Sequence, residues 1–124
     1  MKYAMLIYET PTDFASRKPV ETEPYVAAWR AYFQAVLEAG VHVPGGVPLK
    51  EAGTATTIRV KDGRRHVQDG PFAESKEQLG GIMIVECESL DAALEWAARC
   101  PAAATGAVEV RPVEVSMHET IVRP

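Results

Sequence analysis

The stretch from Asp69 to Gly81, DGPFAESKEQLGG, holds the residues whose types and spacing are best suited to chemistry. Asp69 and Glu74 stand on either side of a turn at Gly70-Pro71. Two carboxyl groups in unlike environments can divide the roles of general acid and general base. We therefore predict Asp69 and Glu74 as a catalytic pair beside a cleft.

The same stretch also has a purely structural interpretation, which stays open here. Gly70 permits a backbone conformation that other residues avoid, and Pro71 fixes the turn. Glu74 and Glu77 would lie in the first turn of a short helix, near its positive end. The Gly80-Gly81 pair allows close backbone approach where a strand begins. These roles would explain the motif without any reaction.

Further candidates are expected to line the cleft as ligand-binding groups. Tyr8 and Glu9 end the first predicted strand, just before a long polar loop, and loops of this kind often carry binding residues. A core tyrosine is the alternative for Tyr8. His42 could serve as a base, since an unperturbed histidine changes its charge near neutrality, or it could be a hydrogen-bonded structural histidine. The complete predicted ligand-binding set is Tyr8, Glu9, His42, Phe72 and Lys76.

A β-hairpin is predicted to position Asp69. Asp62-Gly63 is a strong signal for a two-residue turn, so Lys61 is expected to pair with Arg64. In this register Asp69 points to the apolar side of the hairpin, which we expect to face the core. That apolar side consists of Ile58, Val60 and Val67. The opposite side is basic, and a solvated surface is its usual meaning.

The other elements follow from hydrophobic periodicity and helix-end signals. The predicted strands are Lys2–Tyr8, Val41–Val43, Thr54–Lys61, Arg64–Asp69, Leu79–Cys87 and Ala107–Val115. The predicted helices are Pro24–Ala39 and Leu90–Arg99, and the segment from Glu9 to Glu23 is predicted as a polar loop. The order βαβ, hairpin, βαβ predicts one α+β domain over residues 1–124, ferredoxin-like with an inserted β-hairpin.

A second copy of the chain is predicted from the coverage of the sheet. The two helices must lie on one face, yet the segments Tyr3–Tyr8 and Ile82–Val85 are apolar on both faces. The economical solution is a homodimer that packs sheet against sheet as a dimeric α/β barrel. The alternative is that the tail Met117–Pro124 folds over part of the second face.

Composition excludes several classes of function. The net charge of -4 argues against a nucleic-acid partner. No apolar run approaches the roughly 20 residues that a membrane helix needs, so no membrane partner is expected. Cys87 and Cys100 make no disulfide framework and fit a reduced cytoplasm. The three histidines lack metal-ligand spacing and no nucleotide-binding motif is present, so we expect neither a metal nor a cofactor.

The motif over Asp69–Gly81 closely resembles the signature of the DGPF-type proteins within the YciI-like (YCII-related) family. Flanking segments match as well: TTIRV at 56–60, LDAALEW at 90–96 and VEVRP at 108–112. The resemblance covers nearly the whole chain and implies a dimeric, ferredoxin-like α+β barrel. Some relatives are thought to use a His–Asp pair with the histidine on the first helix. The helix segment Tyr25–Phe33 has no histidine, so that pair does not carry over.

Two hypotheses of function follow. The leading one is a small cytoplasmic homodimer that binds a small organic ligand in a cleft beside the sheet. It would perform cofactor-free acid–base chemistry of the isomerase or lyase type. The alternative is a non-catalytic ligand-binding or regulatory module, suggested by the missing pair and by relatives that resemble genes carried beside extracytoplasmic-function sigma factors. The alternative predicts an exposed apolar patch outside the dimer interface and no adjacent pocket. A purely structural dimer is the third possibility.

Overall fold

The chain folds into six strands and five helices in a computed structural model that describes residues 1–124. The strands are β1 (Lys2–Glu9), β2 (His42–Pro48), β3 (Thr56–Lys61), β4 (Arg64–Asp69), β5 (Gln78–Glu86) and β6 (Ala107–Pro112). The helices are α1 (Pro11–Ala15), α2 (Pro24–Glu38), α3 (Leu90–Arg99), α4 (Ala102–Thr105) and α5 (Val115–Val122). A single 3-10 turn spans Ala52–Thr54.

Four of the strands form an antiparallel sheet in the order β2-β5-β1-β6. Because β5 lies between β2 and β1, each of the two βαβ units brackets a strand of the other, which is the ferredoxin-like arrangement. The α+β fold predicted from the order of elements is therefore confirmed. Strands β3 and β4 form a separate two-stranded sheet, as expected for an inserted hairpin.

The residues at the N-terminal ends of the two main helices, α2 and α3, explain where these helices begin. Pro24 occupies the first turn of α2, where its missing N–H costs no hydrogen bond, and the side chain of Glu23 accepts from the Tyr25 N–H. The Ser89 side chain caps α3 by accepting from the Ala92 N–H at 3.2 Å. Both helices lie within a residue of their predicted bounds.

The core lies between these helices and one face of the sheet. Strand β1 alternates strictly, and its inward positions Tyr3, Met5 and Ile7 are at most 4% exposed. The helices close the core from the other side with Tyr32 and Val36 on α2 and Ala93 and Ala97 on α3. The last inward position of β1 is Glu9, which puts a carboxylate at the end of an otherwise apolar row.

The other face of the sheet, called the open face below, carries no main helix. Its side chains come from the alternate positions of β1 and from the residues that pair with them on β5. Ala4, Leu6, Ile82 and Ile84 are each half-buried in the single chain. The prediction that β1 and β5 are apolar on both faces is thus confirmed.

The hairpin has the predicted register but not the predicted surroundings. Lys61 pairs with Arg64 and Ile58 with Val67 across the Asp62-Gly63 turn. The expectation that the apolar side faces the core is wrong. Ile58, Val60 and Val67 are 52%, 69% and 59% exposed, because the hairpin is not hydrogen-bonded to the main sheet and its apolar side is uncovered.

Three local predictions also fail. The short helix expected at Glu74 and Glu77 is absent, because the Ser75 hydroxyl bonds the backbone N–H and carbonyl of Glu77 and offers a local alternative to helix. The predicted polar loop after β1 contains helix α1, whose capping box joins Thr10 and Asp13. The last strand ends at Pro112, and the tail forms the exposed helix α5.

The two cysteines are free, and both are buried. Burial raises the pKa of the Cys100 thiol to about 11, and it also raises the pKa of Cys87. Such thiols are poor nucleophiles at neutral pH. No helix combines the length and the hydropathy needed to span a bilayer. No group of three or more His, Cys, Asp and Glu side chains is arranged to hold a metal ion.

Candidate active site

A cavity of about 650 Å³ lies between α2 and the helix-covered face of the sheet. Its volume is in the range of small-molecule sites. Helix α2 supplies one wall with Val26, Trp29 and Phe33, and the sheet supplies the other with Ile7 and Met83. The walls are therefore mainly apolar, and the few polar groups decide what the cavity can bind.

Glu9 is the most deeply buried of these polar groups, with 2% of its surface exposed. It stands where β1 ends, at the point where β5 begins on the neighbouring strand. One carboxylate oxygen, Oε1, accepts from Nη2 of the Arg17 guanidinium, and the other, Oε2, accepts from the Tyr25 hydroxyl and, at 3.4 Å, from Arg17 Nε. Burying a charge is tolerated only when it is paired and hydrogen-bonded, and both conditions are met here.

Arg17 holds three chain segments together around that carboxylate. Besides Glu9, its guanidinium donates to the carbonyl of Leu49 and, at 2.8 Å, to the carbonyl of Gly80. The planar fork of arginine suits such multiple recognition. Arg17 thereby ties the segment after α1 to the ends of β2 and β5, and it closes the cavity on that side.

Asp13 fixes the segment from which Arg17 extends. Its carboxylate is 4% exposed and accepts from the Thr10 N–H at 2.9 Å and from the Thr105 hydroxyl at 2.8 and 2.9 Å. These bonds join α1 to the C-terminal end of α4. The short helix is thus held in place by a second buried acid, which limits where the Arg17 side chain can lie.

Gly80 makes room for the Glu9–Arg17 pair. A Cβ atom at this position would lie 2.6 Å from Arg17 Nη2 and 2.9 Å from Glu9 Cδ, closer than real contacts allow. The pairing of β1 with β5 also shifts its register here, between Ile7 and Tyr8. The close approach predicted for Gly80-Gly81 is therefore present, and its neighbour is the buried ion pair.

Tyr25 is suited to donate a hydrogen bond and unsuited to lose its proton. Burial, and then the hydrogen bond to Glu9, raise the pKa of the Tyr25 hydroxyl well above its ordinary value. The ring packs edge-on against Trp29, with centroids 6.3 Å apart, so α2 holds it in place. The phenol stays protonated at neutral pH and directs its O–H at the carboxylate.

His42 lines the same cavity from β2. It is half-buried, and its ring packs edge-on against Phe33 at a centroid distance of 5.1 Å. No protein group hydrogen-bonds the imidazole. Its nitrogens are therefore free to contact a ligand.

The structure separates the predicted site residues into two groups. Glu9 and His42 lie together in the cavity. Tyr8 occupies the alternate position to Ile7 and Glu9 on β1 and points toward the open face. The residues that do not line the cavity are Tyr8, Asp69, Phe72, Glu74 and Lys76.

The predicted environment of the two motif carboxylates is wrong. Asp69 and Glu74 are both exposed, so they do not have the unlike surroundings that divided acid and base roles require. Phe72 is 77% exposed and stacks under the Arg59 guanidinium at 5.1 Å. Asp69 ends β4, and Phe72 and Glu74 lie in the segment that follows it, so their placement depends on a hairpin that is separate from the main sheet. Their catalytic role stays a prediction from the sequence.

Sequence reasoning missed Arg17 and Tyr25. Arg17 lies 8 residues and Tyr25 lies 16 residues beyond their partner Glu9 in the sequence. Arg17 also belongs to a polar stretch that resembles an ordinary surface loop. A signal was present in the TPTD sequence at 10–13, since threonine followed by proline and aspartate is a helix-start pattern. A helix there turns the chain so that the following arginine faces the end of β1.

The fold and the cavity define a small α+β protein with one buried, paired acid in a space fit for a small molecule. Comparison with known sequences assigns its family. The chain belongs to the YCII-related domain family, whose model matches residues 1–116, which confirms the predicted resemblance at the level of the family. It is 37% identical over 115 residues to an uncharacterized protein of Rhizobium meliloti (strain 1021), covering 91% of this chain and 92% of that one.

A solved structure shares the fold. The 5-chloro-2-hydroxyhydroquinone dehydrochlorinase from Burkholderia phenoliruptrix AC1100, in complex with 2,5-dihydroxybenzoquinone, superposes with a TM-score of 0.51. The match covers 92% of this chain and 94% of that one at 19% identity. At this identity the likeness supports the architecture, and the chemistry has to be argued from the cavity of this chain.

Proposed function

We propose that this protein binds a small, planar organic molecule in the cavity beneath α2 and transfers a proton within it, without a cofactor. The observation that carries this proposal is the Glu9 carboxylate, which is 2% exposed at the closed end of a mainly apolar cavity. A buried acid whose neighbours hold it in one orientation suits general base catalysis. The reaction class would be that of an isomerase or lyase.

The contacts of Glu9 leave room for this role. Arg17 Nη2 occupies one lone-pair direction on Oε1, and Tyr25 and Arg17 Nε occupy two on Oε2, whereas a carboxylate has about four. A remaining direction on Oε1 can take a proton from an acidic C–H or O–H of the ligand. Returning that proton to a different carbon of the same ligand completes an isomerisation, with no other reactant needed.

The apolar walls favour a flat ring as the ligand. Trp29 and Phe33 face Ile7 and Met83 across the cavity, so aromatic and aliphatic surfaces are available on both sides. The dehydrochlorinase that shares the fold binds 2,5-dihydroxybenzoquinone, an oxygenated six-membered ring. That compound is coloured, which makes it a convenient first probe.

Filling the cavity is expected to abolish binding of this probe. Val26 lines the cavity, and Val26→Phe would place a ring in it; we expect at least a tenfold weaker Kd for 2,5-dihydroxybenzoquinone by absorbance titration. Ala28 is exposed on the same helix and does not line the cavity, so Ala28→Phe is the matched control and should keep the wild-type Kd. Equal affinities in both variants would contradict the proposed site.

We propose further that the working unit is a homodimer joined through the open face. Leu6, Ile82 and Ile84 are half-buried there with no main helix over them. The hairpin segment 56–69 has four basic and two acidic residues, which gives it a net charge of +2. Because the whole chain has a net charge of -4, the remaining residues carry a net charge of -6. An apolar, positively charged hairpin complements a second copy whose remaining surface is negative.

Sedimentation equilibrium at micromolar concentration checks the dimer. We expect a species of twice the 13.5 kDa of one chain. Leu6→Lys on the open face should shift it to the single-chain mass, whereas Leu94→Lys, at a 46% exposed position on α3, should not. A wild-type protein that sediments as one chain would overturn the proposal.

One observation favours the regulatory alternative as a second candidate. Helix α5, which the proposed dimer contact does not use, presents apolar side chains that are more than half exposed: Met117, Ile121 and Val122. Such patches commonly mark protein interaction sites. The alternative also predicts no adjacent pocket, and the 650 Å³ cavity stands against that part. Ligand binding therefore remains the first proposal.

A further inference from the structure

The charges that line the cavity are unlike those of the chain as a whole. The protein has a net charge of -4, yet the cavity lining contains three basic residues, Arg17, Lys18 and Arg30, and a single acid, Glu9. Glu9 is buried and matched by Arg17 at the closed end. The remaining two cations, Lys18 and Arg30, are exposed and belong to the mouth.

The two mouth cations differ in what they already contact. The Arg30 guanidinium pairs with the exposed carboxylate of Glu21, so its charge is shared. Lys18 has no carboxylate within 4.0 Å. An ammonium without a partner at the edge of an apolar cavity is attracted to a negative group on whatever binds there. Lys18 is therefore the free positive charge of the site.

We infer, on the basis of the ligand site proposed above, that the natural ligand is a cyclic or aromatic acid whose carboxylate lies at the mouth against Lys18. Its ring occupies the space between Trp29 and Met83, and its reacting end meets Glu9 at the closed end. These two contacts orient the ligand, because its carboxylate has to lie at the mouth and its proton-donating group has to lie at the closed end. A neutral ring of the same shape lacks the first of these contacts.

A pair of probes that differ only in this charge tests the inference. The probes are 4-hydroxybenzoate and 4-hydroxybenzamide, and the readout is the ratio of their Kd values from calorimetric titration in 50 mM NaCl. We expect the acid to bind about fivefold more tightly, the effect of one partly exposed ion pair. Raising NaCl to 500 mM should remove most of that preference, because exposed charges are screened.

Substitutions on both sides of the mouth sharpen the test. Lys18→Gln should bring the ratio close to one, while Lys61→Gln, on the hairpin and away from the cavity, should leave it unchanged. Glu21→Gln frees Arg30 and should raise the preference for the acid about twofold to threefold. All three positions are exposed, so the variants are expected to fold.

The outcomes separate this inference from the proposal on which it rests. If both probes bound equally well, the cavity would remain a ligand site and the acid would be the wrong ligand class. If Lys18→Gln kept the preference for the acid, the carboxylate would not lie against Lys18, and the inference would be overturned while the ligand site remained. If neither probe bound, and Val26→Phe and wild type were alike toward 2,5-dihydroxybenzoquinone, the ligand site itself would be wrong and the inference would fall with it.

Discussion

Replacing Glu9 with glutamine is expected to lower the free energy of unfolding by about 3 kcal/mol. The substitution keeps the shape of the side chain but removes the negative charge that balances Arg17. Breaking a buried pair from one side leaves the other charge uncompensated, which usually costs about 3 to 5 kcal/mol. We place the cost at the lower end because Arg17 is 26% exposed and keeps the carbonyls of Leu49 and Gly80 as acceptors.

Urea denaturation of the variant and of a matched control measures this effect. Glu21 also pairs with an arginine, Arg30, but the two side chains are 79% and 60% exposed. Glu21→Gln should therefore change the free energy of unfolding by less than about 0.5 kcal/mol. If the Glu9 and Glu21 variants lost similar stability, the buried pair would not stabilise the fold to the extent that its burial indicates.

Gly80→Ala is the second substitution with a large expected effect, again about 3 kcal/mol of unfolding free energy. Gly80 does not have a positive φ, so the alanine backbone is acceptable and only space is at issue. The added methyl group would lie 2.6 Å from Arg17 Nη2 and 2.9 Å from Glu9 Cδ. The ion pair has to move apart, and the closed end of the cavity moves with it.

Gly53→Ala is the control for this change. A Cβ atom there meets nothing within 4 Å, and its φ is also ordinary, so stability should stay the same or rise slightly. Thermal unfolding in the presence and absence of 2,5-dihydroxybenzoquinone gives both readouts. Stabilisation by the probe should disappear in Gly80→Ala and persist in Gly53→Ala. A Gly80→Ala protein as stable as wild type would show that the pair tolerates displacement.

Local patterns predicted the elements well because each depends on neighbours in sequence. The turn at Asp62-Gly63 determines the hairpin register by itself, and the Ser89 cap fixes the start of α3. The order βαβ, hairpin, βαβ predicted the ferredoxin-like arrangement, and the strand order β2-β5-β1-β6 agrees with it. The position of the hairpin relative to the main sheet was not predictable from these local patterns. The apolar side of β3 and β4 was expected to pack against the core of the same chain, and it does not.

The candidate site was predictable only in part. Glu9 and His42 could be named because the sequence shows a strand end before a polar loop and a residue type that often serves as a base. The contacts of Arg17 with Leu49 and Gly80 span 32 and 63 residues, and no spacing rule connects them. Asp69 and Glu74 were predicted because they flank one turn at the edge of the expected core side, but the hairpin does not face the core and both carboxylates are exposed.

The prolines of the main sheet restrict how copies of this chain can associate. Strands β2 and β6 are the two edges, and they contain Pro44, Pro48 and Pro112. A proline has no N–H to offer to an incoming strand, so growth of the sheet by edge-to-edge pairing is disfavoured. The same prolines leave face-to-face packing unrestricted, so they oppose fibres built from an extended sheet and do not oppose the dimer proposed through the open face.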